Sequence, residues 1–216
     1  MAISVLIADD HTIVRDGLRL ILESSGEATI IAEASNGLEA VQLVRRFNPD
    51  VILMDIAMPE MNGIAATERI HKEFPSARIV MLSMQSTHED IYRALRAGAI
   101  GYLLKESAGT EIVQAVKTAS LGKRYLSRKV DDILIDGYIH QRNGVNVMSP
   151  LDSLSPRERE VLQMVAEGIS SQMIADLLFL SVKTVETYRV RLMQKLGLTD
   201  IPSLVKFAIN HGLTSL

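Results

Sequence analysis

Val51-Ile52-Leu53-Met54-Asp55-Ile56-Ala57-Met58-Pro59 decides how this chain is read. Its first four residues are all apolar, the pattern of a strand covered on both faces inside a parallel sheet. The run ends on a carboxylate, and turn residues follow: Pro59, then Asn62-Gly63. A buried parallel strand ending in Asp puts that carboxylate at the carboxyl edge of the sheet, where open α/β folds build their sites. Alone, such an Asp serves equally well to start a turn.

Working outward, the same pattern repeats. Ile3-Ser4-Val5-Leu6-Ile7-Ala8 is a second buried strand, and it ends on Asp9-Asp10. Val14, Leu18 and Leu20-Ile21-Leu22 then recur at helical spacing. Ile30–Ala34 reads as a strand turned by Asn36-Gly37, and Leu38–Phe47 as an amphipathic helix closed by Asn48-Pro49. A helix over Ala65–Phe74 is stopped by Pro75. Arg78–Ser83 is the fourth strand, His88–Ala97 its helix with Gly98 at the end, and Gly101–Lys105 a short fifth strand. Ile112–Leu121 is the last helix, ended by Gly122. Strands and helices alternating in this way predict an α/β fold, a doubly wound five-stranded parallel sheet with right-handed crossovers. The carboxyl ends of its strands then gather Asp9, Asp10, Asp55, Ser83 and Lys105 at one edge.

Residues 123–149 read as a linker, helical in the middle over Asp131–Ile139, between a first domain at 1–122 and a second at 150–216. Ser155 suits a helix N-cap, Pro156 the first helical position, and Glu158 completes a capping box. Helices follow over residues 156–167, 171–178, 182–196 and 203–210, the third closed by Gly197. A small all-α four-helix domain with two helices joined by the tight turn Phe179-Leu180-Ser181 is a helix-turn-helix pattern.

Bulk properties bound the possibilities. The net charge is −3, divided as −5 over residues 1–121, +2 over 122–149 and zero over 150–216. Nucleic-acid contact therefore has to come from a local patch. The chain has no cysteine, which excludes disulfides and thiolate metal sites and fits a reducing compartment. No apolar run is long enough to span a bilayer, and Met1-Ala2-Ile3-Ser4 lacks the basic start of a signal peptide, so the expectation is cytoplasmic with no membrane partner.

Clustered carboxylates without cysteine or paired histidine suit a hard, oxygen-liganded ion, Mg2+. The ion removes the mutual repulsion of three acidic groups. A lysine at the same edge can pair with an incoming phosphoryl group, and a serine hydroxyl can donate to its oxygens. Phosphoryl transfer asks mostly for positioning and charge neutralisation, so this set suffices, with Asp55 a possible nucleophile. Each residue has a bland reading: Asp9-Asp10 as a helix cap, Ser83 as a strand-end hydroxyl, Lys105 as a solvated lysine. Their coincidence at one edge is what favours function. His11 and His88 are not expected as ligands, and Met54, Met58, Met61, Met81 and Met84 are expected to pack.

Residues 1–121 resemble the receiver domain of bacterial two-component response regulators. The resemblance rests on Ile7-Ala8-Asp9-Asp10-His11, Asp55–Gly63, Leu82-Ser83-Met84, and Gly98-Ala99 through Gly101–Lys105. Residues from about 150 resemble the LuxR-type helix-turn-helix domain through Leu154–Leu162 and Lys183-Thr184-Val185-Glu186-Thr187-Tyr188-Arg189, so the whole chain is similar to the NarL/FixJ subfamily. The resemblance implies that Asp55 accepts a phosphoryl group from a sensor histidine kinase. It implies that Asp10, Asp55 and the Ala57 carbonyl hold Mg2+, with Asp9 acting through water. Lys105 and Ser83 would contact the phosphoryl oxygens, and Ser83 and Tyr102 would form the switch pair. Ala57 and Gln85 flank the site as candidate determinants of the phosphate's lifetime.

The expected output is promoter DNA binding. On the third helix of the second domain, Val185, Tyr188, Leu192 and Leu196 share a face that should be core. The opposite face offers Lys183, Glu186, Thr187, Val190, Arg191 and Gln194 to the major groove, with Thr184 and Lys195 placed for phosphates. Glu186 departs from the lysine common in relatives, and Gln172 and Met173 replace commoner charged residues. The near-neutral domain implies weak nonspecific binding and reliance on a homodimer, with the 203–212 helix as its contact. The reading is a phosphorylation-switched transcriptional regulator, not a turnover enzyme, although it would assist its own phosphorylation and dephosphorylation. A Mg2+-dependent aspartyl phosphatase would need a second Asp where Ala57 stands, and an NTPase would need a P-loop. A receiver that ignores phosphate is the remaining rival.

Overall fold

The computed structural model describes residues 2–84, 87–142 and 150–214. Gln85 and the polar end of the expected linker at 143–149 lie outside these residues. The chain folds as two compact units, whose main division follows the helix that ends at Arg142.

The first unit is built on strands β1 (Ile3–Ala8), β2 (Ala28–Ala34), β3 (Val51–Asp55), β4 (Ile79–Ser83), β5 (Gly101–Leu104) and β6 (Tyr125–Leu126). They form one parallel sheet in the order β2-β1-β3-β4-β5-β6. The helices of this unit are α1 (Thr12–Ser24), α2 (Gly37–Phe47), α3 (Gly63–Glu73), α4 (His88–Arg96), α5 (Lys105–Ser120) and α6 (Arg128–Arg142). On one side of the sheet Val5, Ile7, Leu53, Val80, Leu82 and Leu103 pack with Leu18 and Leu22 of α1 and Ile112 and Val116 of α5. The alternate residues Leu6, Ile52, Met54 and Met81 are equally buried, which is why these strands are continuous apolar runs.

Two features correct the expected outline. Among the described residues the sheet has six strands, not five: Tyr125 N–H donates to the Ile100 carbonyl at 3.0 Å and Ser127 N–H to the Tyr102 carbonyl at 3.1 Å. A strand of two residues is too short to show any periodicity. Lys105 is the first residue of α5 and not the last of β5: the helix follows the strand directly, with Leu104 at the N-cap position and no side-chain cap. Gly98, with φ +111°, lies against the His71 ring, where a side chain would collide.

In the second unit a 3-10 turn at Pro150–Ser153 precedes α7 (Pro156–Ala166), α8 (Ser171–Leu178), α9 (Val182–Leu196) and α10 (Ile201–Asn210). All four helices are N-capped by side chains: Ser155, Ser170, Ser181 and Asp200 accept from the backbone N–H groups of Glu158, Met173, Thr184 and Ser203. The capping box expected at Ser155 and Glu158 is present. Arg157 donates to the Leu178 carbonyl at 2.7 Å, tying α7 to the end of α8. Val161, Leu162, Ile174, Leu178, Val185, Leu192, Leu204 and Ala208 form the core.

Candidate functional site

Strand register brings the chemistry together. Ala8 pairs with Met54, Asp55 with Leu82, and Ser83 with Leu104, so the residues at or just past four strand ends share one edge. There Lys105 Nζ lies 2.8 Å from Asp9 Oδ2 and 2.9 Å from Asp55 Oδ2. The side chains of Asp9 and Asp55 are 0% and 3% exposed, and that of Lys105 only 7%. Asp10 sits at the mouth with a third of its side chain in solvent. Ligand atoms of Asp9, Asp10, His11 and Asp55 all fall within 4.8 Å of one another. The exposed imidazole of His11 approaches Asp10 Oδ1 at 2.7 Å, a proximity that the sequence did not signal.

This arrangement is electrostatically loaded. Burial, then the neighbouring charge of Asp9, pushes the Asp55 carboxyl up to about 6, and Lys105 only partly offsets them. Burial works against the Lys105 ammonium, but Asp55 and Asp9 outweigh it and hold its pKa above the usual value. The buried Oδ2 atoms of Asp9 and Asp55 both pair with this one ammonium. Ser83 is buried at the same edge, the Tyr102 ring is wholly enclosed, and Ala57 is exposed beyond β3.

Local hydrogen bonds fix the turns around this site. His11 N–H donates to Asp9 Oδ1 at 2.9 Å, and the Arg15 guanidinium donates to the Asp9 carbonyl at 2.7 Å, fixing the turn from β1 into α1. After β3, Gly63 N–H donates to the Ile56 carbonyl at 2.9 Å while Asn62 Oδ1 caps α3 through Ala65 N–H.

Helix α9 has a buried and an exposed face, with two of the four residues expected in the core only partly covered. Val185 and Leu192 are buried, and Tyr188 and Leu196 half-buried. Lys183, Glu186, Thr187, Val190, Arg191 and Gln194 are all exposed. Glu186, Lys195 and Thr184, like Thr187, also have side-chain partners inside the unit. Glu186 Oε1 accepts from Ser171 Oγ and lies 3.3 Å from an Arg189 nitrogen, which in turn donates to Ser171 at 2.9 Å. Lys195 Nζ lies 2.6 Å from Glu158 Oε2, and the Thr184 hydroxyl is 2.7 Å from Ser181 Oγ.

The chain matches the response regulator receiver domain over residues 5–117 and the bacterial regulatory proteins of the luxR family over residues 152–208. It belongs to the response regulators. The oxygen regulatory protein NreC of Staphylococcus aureus is 38% identical over 212 residues, spanning 97% of this chain and 98% of that protein. A LuxR-family response regulator from Aurantimonas sp. SI85-9A1 aligns with a TM-score of 0.62 and 32% identity, covering 64% of this chain and 99% of that one. RcsB from Salmonella enterica serovar Typhimurium, solved with promoter P1flhDC and phosphomimetic BeF3-, aligns with a TM-score of 0.61 and 29% identity over 96% and 98% of the two chains.

As a response regulator the chain is a DNA-binding regulatory protein, not a turnover enzyme, and no described helix is long and apolar enough to cross a membrane. Its receiver pocket suits Mg2+ on its own chemistry. Three carboxylates against one ammonium leave excess negative charge, and the carboxylate donors are hard oxygens gathered within 4.8 Å of one another.

Proposed function

We propose that this response regulator is a phosphorylation-switched promoter-binding factor, with Asp55 as phosphoacceptor. The observation that carries the reading is the Lys105 ammonium set between two enclosed carboxylates, Asp9 and Asp55, at one sheet edge. The Asp55 carboxylate attacks the phosphorus of a phosphohistidine on a sensor histidine kinase. The new O–P bond forms as the P–N bond breaks, and the imidazole keeps the electron pair. Lys105 and Ser83 hold the transferred oxygens. Asp10, Asp55 and the Ala57 carbonyl would hold Mg2+, with Asp9 acting through water. When bound, the ion neutralises the carboxylates and phosphoryl oxygens. The phosphoryl group carries about two negative charges in place of the single charge of the carboxylate, and Lys105 exchanges its contact with the Asp55 carboxylate for one with these oxygens. Ser83 and Tyr102 transmit that change.

The division we adopt is a receiver at 1–122, a linker at 123–149 that includes α6, and a DNA-binding domain at 150–216. Phosphorylation releases α9 for the major groove and favours a homodimer on paired half-sites. The exposed face of α10, where Ile201, Pro202, Val205 and Ile209 line a shallow hollow, supplies the dimer contact. The cytoplasm is the compartment in which a cysteine-free promoter-binding protein meets its kinase and DNA.

The test is DNA binding across the source genome with and without a small phosphodonor and Mg2+, for the wild-type chain and Asp55→Asn. Binding that tightens with donor only in the wild type supports the switch. Binding indifferent to donor in both proteins removes phosphorylation from the mechanism and leaves a DNA-binding protein.

A further inference from the structure

Along α9, Lys183, Thr187, Val190 and Gln194 fall at spacings of i, i+4, i+7 and i+11, a single stripe. All four are exposed, on the side opposite buried Val185 and Leu192. The middle of the stripe is methyl-bearing. Val190 is 55% exposed in a helix interior, where a β-branched side chain brings neither propensity nor burial. The Thr187 hydroxyl donates to the Lys183 carbonyl at 2.8 Å, so its hydrogen is committed to the helix.

The polar neighbour beside this stripe is also engaged. Glu186 is tied to Ser171 and Arg189 through one carboxylate oxygen, Oε1, which draws its side chain toward α8. The domain carries no net charge over residues 150–216, so bulk attraction to phosphates contributes little and groove contacts matter more. In the major groove an A·T pair presents a thymine methyl for apolar contact and an adenine edge that suits glutamine. A stripe with valine and threonine at its centre and glutamine at its end matches that pattern.

We infer that Val190, seconded by Thr187, is a specificity-determining residue that reads a thymine C5-methyl in each half-site, with Gln194 reading adenine nearby. This rests on the promoter-binding reading above and adds the base class to it.

The test starts from sites selected out of random duplex DNA by the full-length chain with phosphodonor and Mg2+. Each thymine of the selected site is then replaced by deoxyuridine, which removes only the methyl. At one thymine per half-site the replacement weakens wild-type binding about fourfold, the value of one buried methyl group. Val190→Ala binds the thymine site more weakly and is insensitive to uracil at that position. It folds as the wild type does, since Val190 is exposed. Specific binding in which uracil is tolerated everywhere overturns this inference and leaves the promoter-binding reading standing. Sensitivity to uracil that persists unchanged in Val190→Ala also overturns it, and absence of any selected site overturns both.

Discussion

A Cβ placed on Gly63 would stand 1.9 Å from the carbonyl oxygen of Asp55. The first residue of α3 is therefore pressed against the backbone of the proposed phosphoacceptor, an approach only glycine permits. Gly63→Ala is expected to push β3 and α3 apart and to lower stability by about 1–3 kcal/mol, an overpacking cost. Urea unfolding of the full chain measures it. A substitution without effect on the midpoint would show that the two segments separate freely.

Asp55 gives the fold a pH dependence of definite sign. Its carboxyl keeps its proton to about 6 in the folded chain, against an ordinary value of 3.8. Between these values the folded state binds more protons than the unfolded one, so stability falls as pH rises from about 4 to about 6. The contribution approaches about 3 kcal/mol by the usual conversion. In chelator, the difference between wild type and Asp55→Asn should change across this window and be flat above it. Mg2+ should restore stability at pH 7 and not at pH 4.

Lys105→Met removes the ammonium from between Asp9 and Asp55 and keeps the bulk of the side chain. Leaving buried carboxylates uncompensated should cost about 3–5 kcal/mol at neutral pH without divalent ions. Added Mg2+ should recover more stability in this variant than in the wild type. The phosphodonor should no longer alter its DNA affinity.

The capping box of α7 is coupled to α9 through Glu158 and Lys195. Burial opposes the Glu158 charge, but its hydrogen bonds to Lys195 and Ser155 hold the carboxyl below its ordinary range. Its contribution is therefore present above its ordinary pKa and lost as pH falls through its lowered value. Glu158→Gln keeps a side chain that can complete the capping box but loses the ion pair with Lys195, and should cost at most about 1 kcal/mol. It should also tighten nonspecific DNA binding at low salt, because it frees Lys195. Lys195→Ala should weaken that binding while costing at most about 1 kcal/mol, since the pair is half-exposed. Thermal melts and salt titrations separate the two effects.

Glu186 restrains Arg189 through Ser171 at the junction of α8 and α9. Glu186→Ala should release the guanidinium and remove a negative charge from the exposed face of α9, the proposed reading surface. Nonspecific DNA binding should become tighter and steeper in its salt dependence, by about one unit of slope. An unchanged slope would mean that Arg189 stays bound to α8 without its carboxylate partner.

Much of this protein is written locally. Apolar runs of four residues leading into Asp9, Asp55 and Ser83 marked the strands, because a strand covered on both faces has few polar positions to hide its signal. Ser155, Pro156 and Glu158 marked the start of α7, since a cap is a contact between residues three apart. The split of α9 into a buried and an exposed face followed from 3.6-residue periodicity. Other features come from residues distant in sequence. β6 exists through backbone hydrogen bonds to β5. The raised carboxyl of Asp55 depends on burial and on Asp9, 46 positions away. The pairing of Lys195 with Glu158 and the capture of Glu186 by Ser171 join helices whose separation no local pattern encodes. Sequence by itself determined which groups are available and which face each occupies. Tertiary structure decided their partners and charges, because desolvation and Coulomb energy depend on distances that only the folded chain defines.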